Sequence, residues 1–160
     1  MSLTKPALDP MSLTPRTGSG YPEPFRSRVL PREKRQLGEA LGLRTIGINH
    51  TTLPPGKESS MRHWHTHEEE FIYVLSGEVV LRTNAGEQLL QAGMCAGFPI
   101  SGDESSGDGH QLINRGTEPA VYLEMSNRDP RDSAYYPDVD LRWNAPDARG
   151  QFTRKDGSGF

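Results

Sequence analysis

The chain has 160 residues, of which 33% are hydrophobic and 24% are charged, and its formal net charge is −3. This length fits one domain, and the low hydrophobic fraction indicates that part of the chain does not contribute to a core. Its lysines and arginines are scattered among acidic residues, which argues against a nucleic-acid-binding surface, and no apolar run approaches the length of a membrane span.

The two ends of the chain differ in composition from its middle. The first 25 residues are rich in proline, and residues 144–160 contain no Val, Ile, Leu or Met. Neither end can fill a core by itself, so the sequence predicts an N-terminal arm at 1–42, a β domain at 43–143 and a C-terminal tail at 144–160. Residues 31–43 are expected to add one or two helical turns to the arm.

From Thr45 onward, short runs of β-branched and aromatic residues alternate with turns built on Gly, Pro, Asn or Asp. This pattern predicts eight strands. Their predicted ranges are 45–53, 61–65, 70–75, 78–83, 88–91, 94–98, 110–114 and 120–125. Many short strands with tight turns are typical of a barrel or a sandwich, because both arrangements remove exposed sheet edges.

The segment from 63 to 70 places three of the five histidines in alternate positions beside three glutamates. Residues two apart on a strand point to the same face, so His63 and His65 can aim at one point while Trp64 packs on the other face. Paired imidazoles suit divalent Fe, Mn, Ni, Zn and Cu. Glu70 begins the next predicted strand, opposite the two histidines, and is the expected third ligand.

These residues resemble the first motif of the cupin superfamily, G-x(5)-H-x-H-x(3,4)-E-x(6)-G. In this sequence the motif has one extra residue before its first histidine and runs through Gly56, His63, His65, Glu70 and Gly77. A frame that starts at His65 and His67 leaves only two residues before Glu70 and breaks the pattern. His67 is therefore expected outside the set of metal ligands.

The second cupin motif, G-x(5)-P-x-G-x(2)-H-x(3)-N, is similar to a later segment of the chain. Its beginning and end match Gly93, Pro99, His110 and Asn114. A longer acidic loop at 101–109 stretches the middle of the motif. No other histidine follows in the sequence, so His110 is the fourth ligand that the resemblance implies.

The resemblance implies an all-β fold, the antiparallel double-stranded β-helix or jelly-roll barrel of the cupins. It also implies one divalent transition-metal ion (Fe, Mn, Ni, Zn or Cu), held inside the barrel by His63, His65, Glu70 and His110. Within the superfamily, the sequence looks like a bacterial single-barrel (cupin type 2) protein. Some relatives in that branch are provisionally named sugar-phosphate isomerases.

Two classes of function fit such a site. Three histidines and one glutamate leave two adjacent positions open on a six-coordinate ion. The first class is a mononuclear metalloenzyme that acts on a small polar metabolite, either an isomerase or epimerase of a sugar-like compound or an Fe(II) dioxygenase. Glu70 is the expected catalytic carboxylate of the isomerase. The second class is a non-catalytic module that binds or senses a small polar molecule.

Partners and location follow from the same features. We expect no nucleic-acid or membrane partner, and a homodimer, because the polar and proline-rich ends gain order by lying on a neighbour. The N-terminus lacks the pattern of a signal peptide and the chain has one cysteine, so a cytoplasmic protein is expected. The acidic loop at 101–109 is expected to border the cavity mouth and to disfavour phosphorylated substrates.

Several other residues are expected to be structural. Cys95 is predicted as a small buried side chain, and His50 as a hydrogen-bonded histidine in a strand. Phe71 and Tyr73 are predicted to pack the barrel. Glu68 is predicted to lie in a solvated turn.

Overall fold

The computed structural model describes residues 3–101, 107–144 and 151–160 of the chain. Its strands, in chain order, are β1 (Glu33–Gln36), β2 (Ile46–Leu53), β3 (Trp64–His65), β4 (Glu70–Ser76), β5 (Glu78–Thr83), β6 (Gly86–Gln91), β7 (Cys95–Phe98), β8 (Gln111–Ile113), β9 (Ala120–Asn127), β10 (Ser133–Tyr135), β11 (Arg142–Asn144) and β12 (Gln151–Thr153). The predicted strand at 78–83 matches β5, and most of the others differ at their ends by one or two residues.

The helices among the described residues are short. They are a 3-10 helix (Pro10–Ser12), α1 (Phe25–Val29) and α2 (Leu37–Leu41), and all three precede β2. Only α2 lies within residues 31–43, where one or two helical turns are expected, and β1 occupies part of the same range. None of the helices in the described ranges has the length and apolar character needed to cross a bilayer.

The strands form three sheets that together make the barrel. One sheet has the order β1-β2-β9-β4-β7, the second β12-β11-β10-β3 and the third β6-β5-β8. Every registered strand pair is antiparallel. The predicted antiparallel cupin barrel is therefore confirmed.

Strand β4 shows how the sequence fills the barrel. Ile72 and Val74 are buried in the main core, whereas Phe71 and Tyr73 are 37% and 38% exposed. Successive side chains of a strand point to opposite faces, so a strand that turns Glu70 inward must turn Phe71 and Tyr73 outward. The prediction that these two rings pack inside the barrel is wrong for this reason.

Strand β7 obeys the same alternation. Cys95 lies directly opposite Tyr73 in the β4–β7 pair, and its side chain is exposed on the same outer face. The prediction of a buried thiol is therefore wrong. Phe98, at the other end of β7, turns inward and lies beside the residues of the predicted metal site.

Both ends of the chain extend the sheets beyond the predicted strand range of 45–125. β1 in the arm pairs with β2, and β12 near the C-terminus pairs with β11. A second core lies where these ends meet the barrel, and its buried members are Tyr21, Phe25, Val29, Met61, Ala134, Tyr136 and Leu141. Aromatic side chains from both ends enter this core, because Tyr21 and Phe25 come from the N-terminal arm and Phe152 packs against it from the C-terminal end.

Candidate metal centre

Three imidazole rings surround one carboxylate oxygen inside the barrel. The Oε2 atom of Glu70 lies 2.6 Å from Nε2 of His110, 3.5 Å from Nε2 of His65 and 3.8 Å from Nε2 of His63. All three rings are at least four-fifths buried. The structure thus brings the four predicted ligands to one place, with the same ring nitrogen of each histidine facing the glutamate.

The backbone explains how residues far apart in the chain meet here. His63 and His110 exchange two backbone hydrogen bonds, of 3.1 and 2.8 Å. His65 lies in β3 and faces Ala134 of β10 across the pair, and Glu70 begins β4. Closure of the barrel therefore places the late ligand, His110, against the three early ones.

The His63 ring is held in the orientation that a metal ligand requires. Its Nδ1 donates a hydrogen bond of 2.9 Å to the carbonyl oxygen of Met61, and because a carbonyl only accepts, the Nε2 lone pair faces Glu70. The ring stacks on Tyr136 with centroids 5.5 Å apart. Burial, followed by the charges of His110 and His65, lowers the pKa of His63 to about 3, so its imidazole is neutral.

His65 is oriented by a carboxylate that the sequence did not point to. Its Nδ1 donates to Oδ2 of Asp132 at 2.6 Å, and Asp132 is only 1% exposed. The other oxygen of Asp132 accepts from the backbone N–H groups of Thr66 and His67, at 3.0 and 2.9 Å. Burial opposes a charged ring, but Glu70 and Asp132 outweigh it and raise the pKa of His65 to about 9.

The His110 ring is fixed by contacts on two sides. Its Nε2 donates to Glu70, and its ring stacks on Phe98 with centroids 3.7 Å apart and planes within 6°. Its Nδ1 is buried and has no hydrogen-bond partner among the described residues. Burial opposes ionisation of Glu70, but His65 and the hydrogen bond from His110 hold the pKa of the Glu70 carboxyl well below its usual range.

Asp132 is the functional residue that sequence reasoning missed. It lies 67 positions after His65 in a short polar turn before β10, with no motif around it.

The prediction that Glu68 lies in a solvated turn is wrong, because its side chain is half-buried. Burial raises the pKa of its carboxyl to about 7. Carboxylate oxygens of Glu68 and Asp132 and a nitrogen of His65 lie within 4.8 Å of one another, so they form an acidic group behind the imidazole.

The remaining histidines lie outside the cluster. Nδ1 of His67 is 2.8 Å from the hydroxyl of Thr66, and His67 is in neither of the two groups of described residues whose donor atoms lie within 4.8 Å of one another. His50 lies on β2, and its Nδ1 is buried without a hydrogen-bond partner among the described residues. The expectation of a hydrogen-bonded His50 is therefore wrong for this atom.

A cavity of about 180 Å³ opens beside the cluster, and Glu70, His63 and His110 form part of its wall. The expectations for the acidic loop at 101–109 rest mainly on residues 102–106, which lie outside the described residues. Asp108, at the end of that loop, accepts a hydrogen bond of 2.8 Å from the backbone of Asn84.

The donor set itself fits a divalent transition metal. It offers three imidazole nitrogens and one carboxylate oxygen, which suit divalent Fe, Mn, Ni, Zn and Cu rather than Mg or Ca. Two of the three histidines have a fixed partner for their second nitrogen, as metal-binding histidines generally do. A buried carboxylate among three imidazoles is also a place where one cation would be well accommodated.

Comparison with known proteins gives a family match for the centre of the chain. Residues 49–126 match the family described as Cupin_2, cupin domain. The matched range begins in β2, ends in β9 and contains all four residues of the imidazole and carboxylate cluster.

Two solved structures resemble the chain well beyond this range. One, from Silicibacter pomeroyi DSS-3, is a sugar phosphate isomerase from a cupin superfamily, with 40% identity, a TM-score of 0.89 and coverage of 97% of this chain and 96% of that chain. The other, from Acidithiobacillus ferrooxidans, is provisionally named a sugar phosphate isomerase, with 33% identity, a TM-score of 0.70 and coverage of 78% and 77%. The first match includes both ends of the chain.

A curated relative is the tetracenomycin polyketide synthase protein TcmJ of Streptomyces glaucescens. It is 30% identical over an alignment of 98 residues that covers 58% of this chain. The matched part spans 58% of the length of that relative.

Proposed function

This chain belongs to the cupin superfamily, and from that premise we propose that it is a mononuclear metalloenzyme acting on a small polar metabolite. Its metal would be one divalent transition-metal ion, held by His63, His65, Glu70 and His110. The observation that carries this proposal is the convergence of three Nε2 atoms on Glu70 Oε2 at 2.6–3.8 Å.

The surrounding residues support the same role. The carbonyl of Met61 holds His63, and the carboxylate of Asp132 holds His65, so both rings present Nε2 to Glu70. A cation would take the place of the proton in the hydrogen bond between His110 and Glu70 and would balance the charge of the carboxylate. When bound, a divalent ion polarises a carbonyl oxygen and favours the deprotonated form of a neighbouring hydroxyl.

The reaction we propose is isomerisation or epimerisation of a sugar-like hydroxy-carbonyl compound. The support is the full-length resemblance to a protein named a sugar phosphate isomerase, together with a carboxylate at the cavity wall. Glu70 would be one of the residues that hold the metal, and its carboxylate would accept the proton from the carbon beside the carbonyl. It would return this proton to the former carbonyl carbon in an isomerisation, or to the same carbon in an epimerisation. Ile72, Phe98 and Leu112 line the same cavity and would limit access of water to that proton.

Metal analysis of variants tests the metal site. The purified protein is expected to contain about one equivalent of a transition metal, and His63→Ala or His110→Ala should remove most of it. His67→Ala is the matched control, because this histidine lies in the same segment but outside the cluster, and it should keep its metal. Equal metal loss in all three variants, with circular dichroism showing folded protein, would contradict the assignment.

Activity assays on the reconstituted protein then separate the reaction classes. We expect the Fe(II), Mn(II) or Zn(II) form to catalyse aldose–ketose interconversion or C2 epimerisation. Exchange of the substrate proton with deuterated water measures both reactions. Consumption of oxygen by the Fe(II) form would instead identify a dioxygenase. A metal-loaded protein that binds small hydroxy compounds without turnover would identify a binding module.

A further inference from the structure

The wall of the cavity beside the histidine cluster carries two cationic side chains. Lys34 is in β1 and Arg32 lies two residues earlier, so the two share one face of the chain, and both line the cavity that Glu70 also lines. Strand pairing continues from Lys34 to Thr51 of β2 and from Thr51 to Tyr122 of β9. These residues therefore form one inner surface that reaches across the sheet towards the metal site.

Lys34 already has an anionic partner. Its Nζ lies 2.5 Å from Oε1 of Glu124, and the same oxygen accepts a hydrogen bond of 2.9 Å from Nδ2 of Asn49. The charge of Lys34 is thus balanced within the protein, and the Lys34–Glu124 ion pair forms a fixed polar part of the cavity wall.

Arg32 has no such partner. Among the described residues it makes no ion pair with a carboxylate, and its Nε is buried without a hydrogen-bond acceptor. The hydroxyl of Tyr122, which is 0% exposed and lines the same cavity, also lacks a partner within the described ranges. Unpaired buried donors are costly, so two of them on residues that line one cavity point to a ligand that accepts hydrogen bonds.

The charges of the cavity wall point to the same kind of ligand. Its charged residues other than histidine are two cations, Arg32 and Lys34, and two carboxylates, Glu70 and Glu124. These four charges cancel, so a divalent ion at the histidine cluster would leave the cavity with an excess of two positive charges. An anionic group on the ligand would neutralise that excess, and a planar guanidinium matches the oxygens of a carboxylate or phosphate.

We propose that Arg32 and the hydroxyl of Tyr122, beside Lys34, form a subsite for the anionic group of the substrate. The substrate class is a compact hydroxy or oxo compound that carries a carboxylate or phosphate in addition to the oxygen groups that would face the metal. The anion subsite stands on residues other than the four proposed metal ligands, whereas the orientation of the substrate towards the metal rests on the proposed function. Arg32 is a specificity-determining residue in this scheme.

The test is calorimetric binding of three related probes to the metal-free and the Zn(II)-loaded full-length protein. Glycerol 3-phosphate and 3,4-dihydroxybutanoate carry the same vicinal diol and differ in their anionic group, and glycerol is the neutral control. At least one anionic probe is expected to bind at least about tenfold more tightly than glycerol, since hydrogen bonds to charged groups are strong. The anionic probe with the higher affinity shows whether the subsite prefers a phosphate or a carboxylate.

Variants of the full chain assign the effect to the subsite. Arg32→Gln should remove about tenfold or more of the anion affinity, whereas Arg32→Lys should retain part of it. Tyr122→Phe keeps the ring in the core and should weaken the anionic probes without affecting glycerol. Arg44→Gln is the matched control, because Arg44 is an exposed arginine, and its affinities should equal those of the wild type.

Two results would overturn the proposal. The first is that neither anionic probe binds more tightly than glycerol in either form of the protein. The second is that Tyr122→Phe and both Arg32 variants, shown to be folded by circular dichroism, leave the anion affinities unchanged. A protein that takes up no metal but still binds the anions through Arg32 would contradict the proposed metalloenzyme and keep the anion subsite.

Discussion

At the scale of single residues, the hydrogen bonds made by Nδ1 of His63 and of His65 set the direction in which Nε2 of each ring points. His63 donates through Nδ1 to a carbonyl, and His65 donates through Nδ1 to Asp132, so both present Nε2 to Glu70. Asp132 accepts hydrogen bonds with both of its oxygens, one from the imidazole and one from two backbone N–H groups. Both oxygens of this buried carboxylate therefore have hydrogen-bond donors.

Replacement of Asp132 tests this orienting role. In Asp132→Asn the side chain has one oxygen and one NH₂ group, so either His65 or the backbone N–H groups of Thr66 and His67 would face a donor. We expect metal affinity to fall by about 10–100-fold, as for other partners of metal-binding histidines. Competition with a chromophoric chelator measures the affinity.

Asp129→Asn is the control for this prediction, because Asp129 lies in the same turn but bonds to Arg131 on the surface. Its metal affinity should stay within about twofold of the wild type, since surface ion pairs contribute little. Equal affinities of the Asp132 and Asp129 variants would show that the hydrogen bond to His65 does not orient the ligand.

At the scale of elements, the turns that join the strands of the barrel have different steric demands. Gly77 joins β4 to β5 with φ +71°, and a Cβ there would lie 2.9 Å from the carbonyl oxygen of Pro119 and 3.0 Å from Cα of Ala120. Gly93 precedes β7 with φ +89°, and a Cβ there would meet nothing within 4 Å. Both glycines belong to the motifs, but only Gly77 is confined by neighbouring backbone.

Alanine at these two positions should therefore have unequal effects on stability. Gly93→Ala should lower the free energy of unfolding by about 1 kcal/mol, the cost of a left-handed conformation with a side chain. Gly77→Ala should cost at least about 2 kcal/mol, because the backbone of the 119–120 segment must also move. Urea unfolding in the presence of a chelator measures both, and equal losses would contradict the steric argument.

At the scale of the whole molecule, the outer face of the five-stranded sheet is apolar. Phe71 and Tyr73 are exposed there, with Cys95 opposite Tyr73 on the edge strand β7. Met125 and Leu123 lie beside the two rings on β9. A contiguous apolar surface of this kind is typical of an interface. It supports the homodimer expected from the composition of the chain ends.

We expect the protein to be a dimer at tens of micromolar, with this sheet face at its two-fold interface. The double variant Phe71→Lys/Tyr73→Lys should give monomers in light scattering, because it would bring like charges together across a self-complementary contact. Leu89→Lys is the control, since Leu89 is exposed on β6 in a different sheet, and it should remain dimeric. A monomeric wild-type protein would refute the expectation.

The sequence by itself determined the strands and the ligand set proposed for the metal. Alternation and turn residues gave β5 and, within one or two residues, most of the other strands between 45 and 127. The spacing from His63 to Glu70 located the early part of the cluster, because a period of two along a strand is a local property. The second motif supplied His110 through the resemblance to the cupins.

Only the tertiary structure decided which distant residues complete the site. Asp132 reaches His65 from 67 positions away, and Arg32 enters the cavity from the N-terminal arm, and neither carries a local pattern. Whether the side chains of Phe71 and Cys95 point outward likewise depends on which face of each strand the rest of the barrel covers. These features result from barrel closure, which brings together residues whose separation along the chain gives no periodic or turn signal.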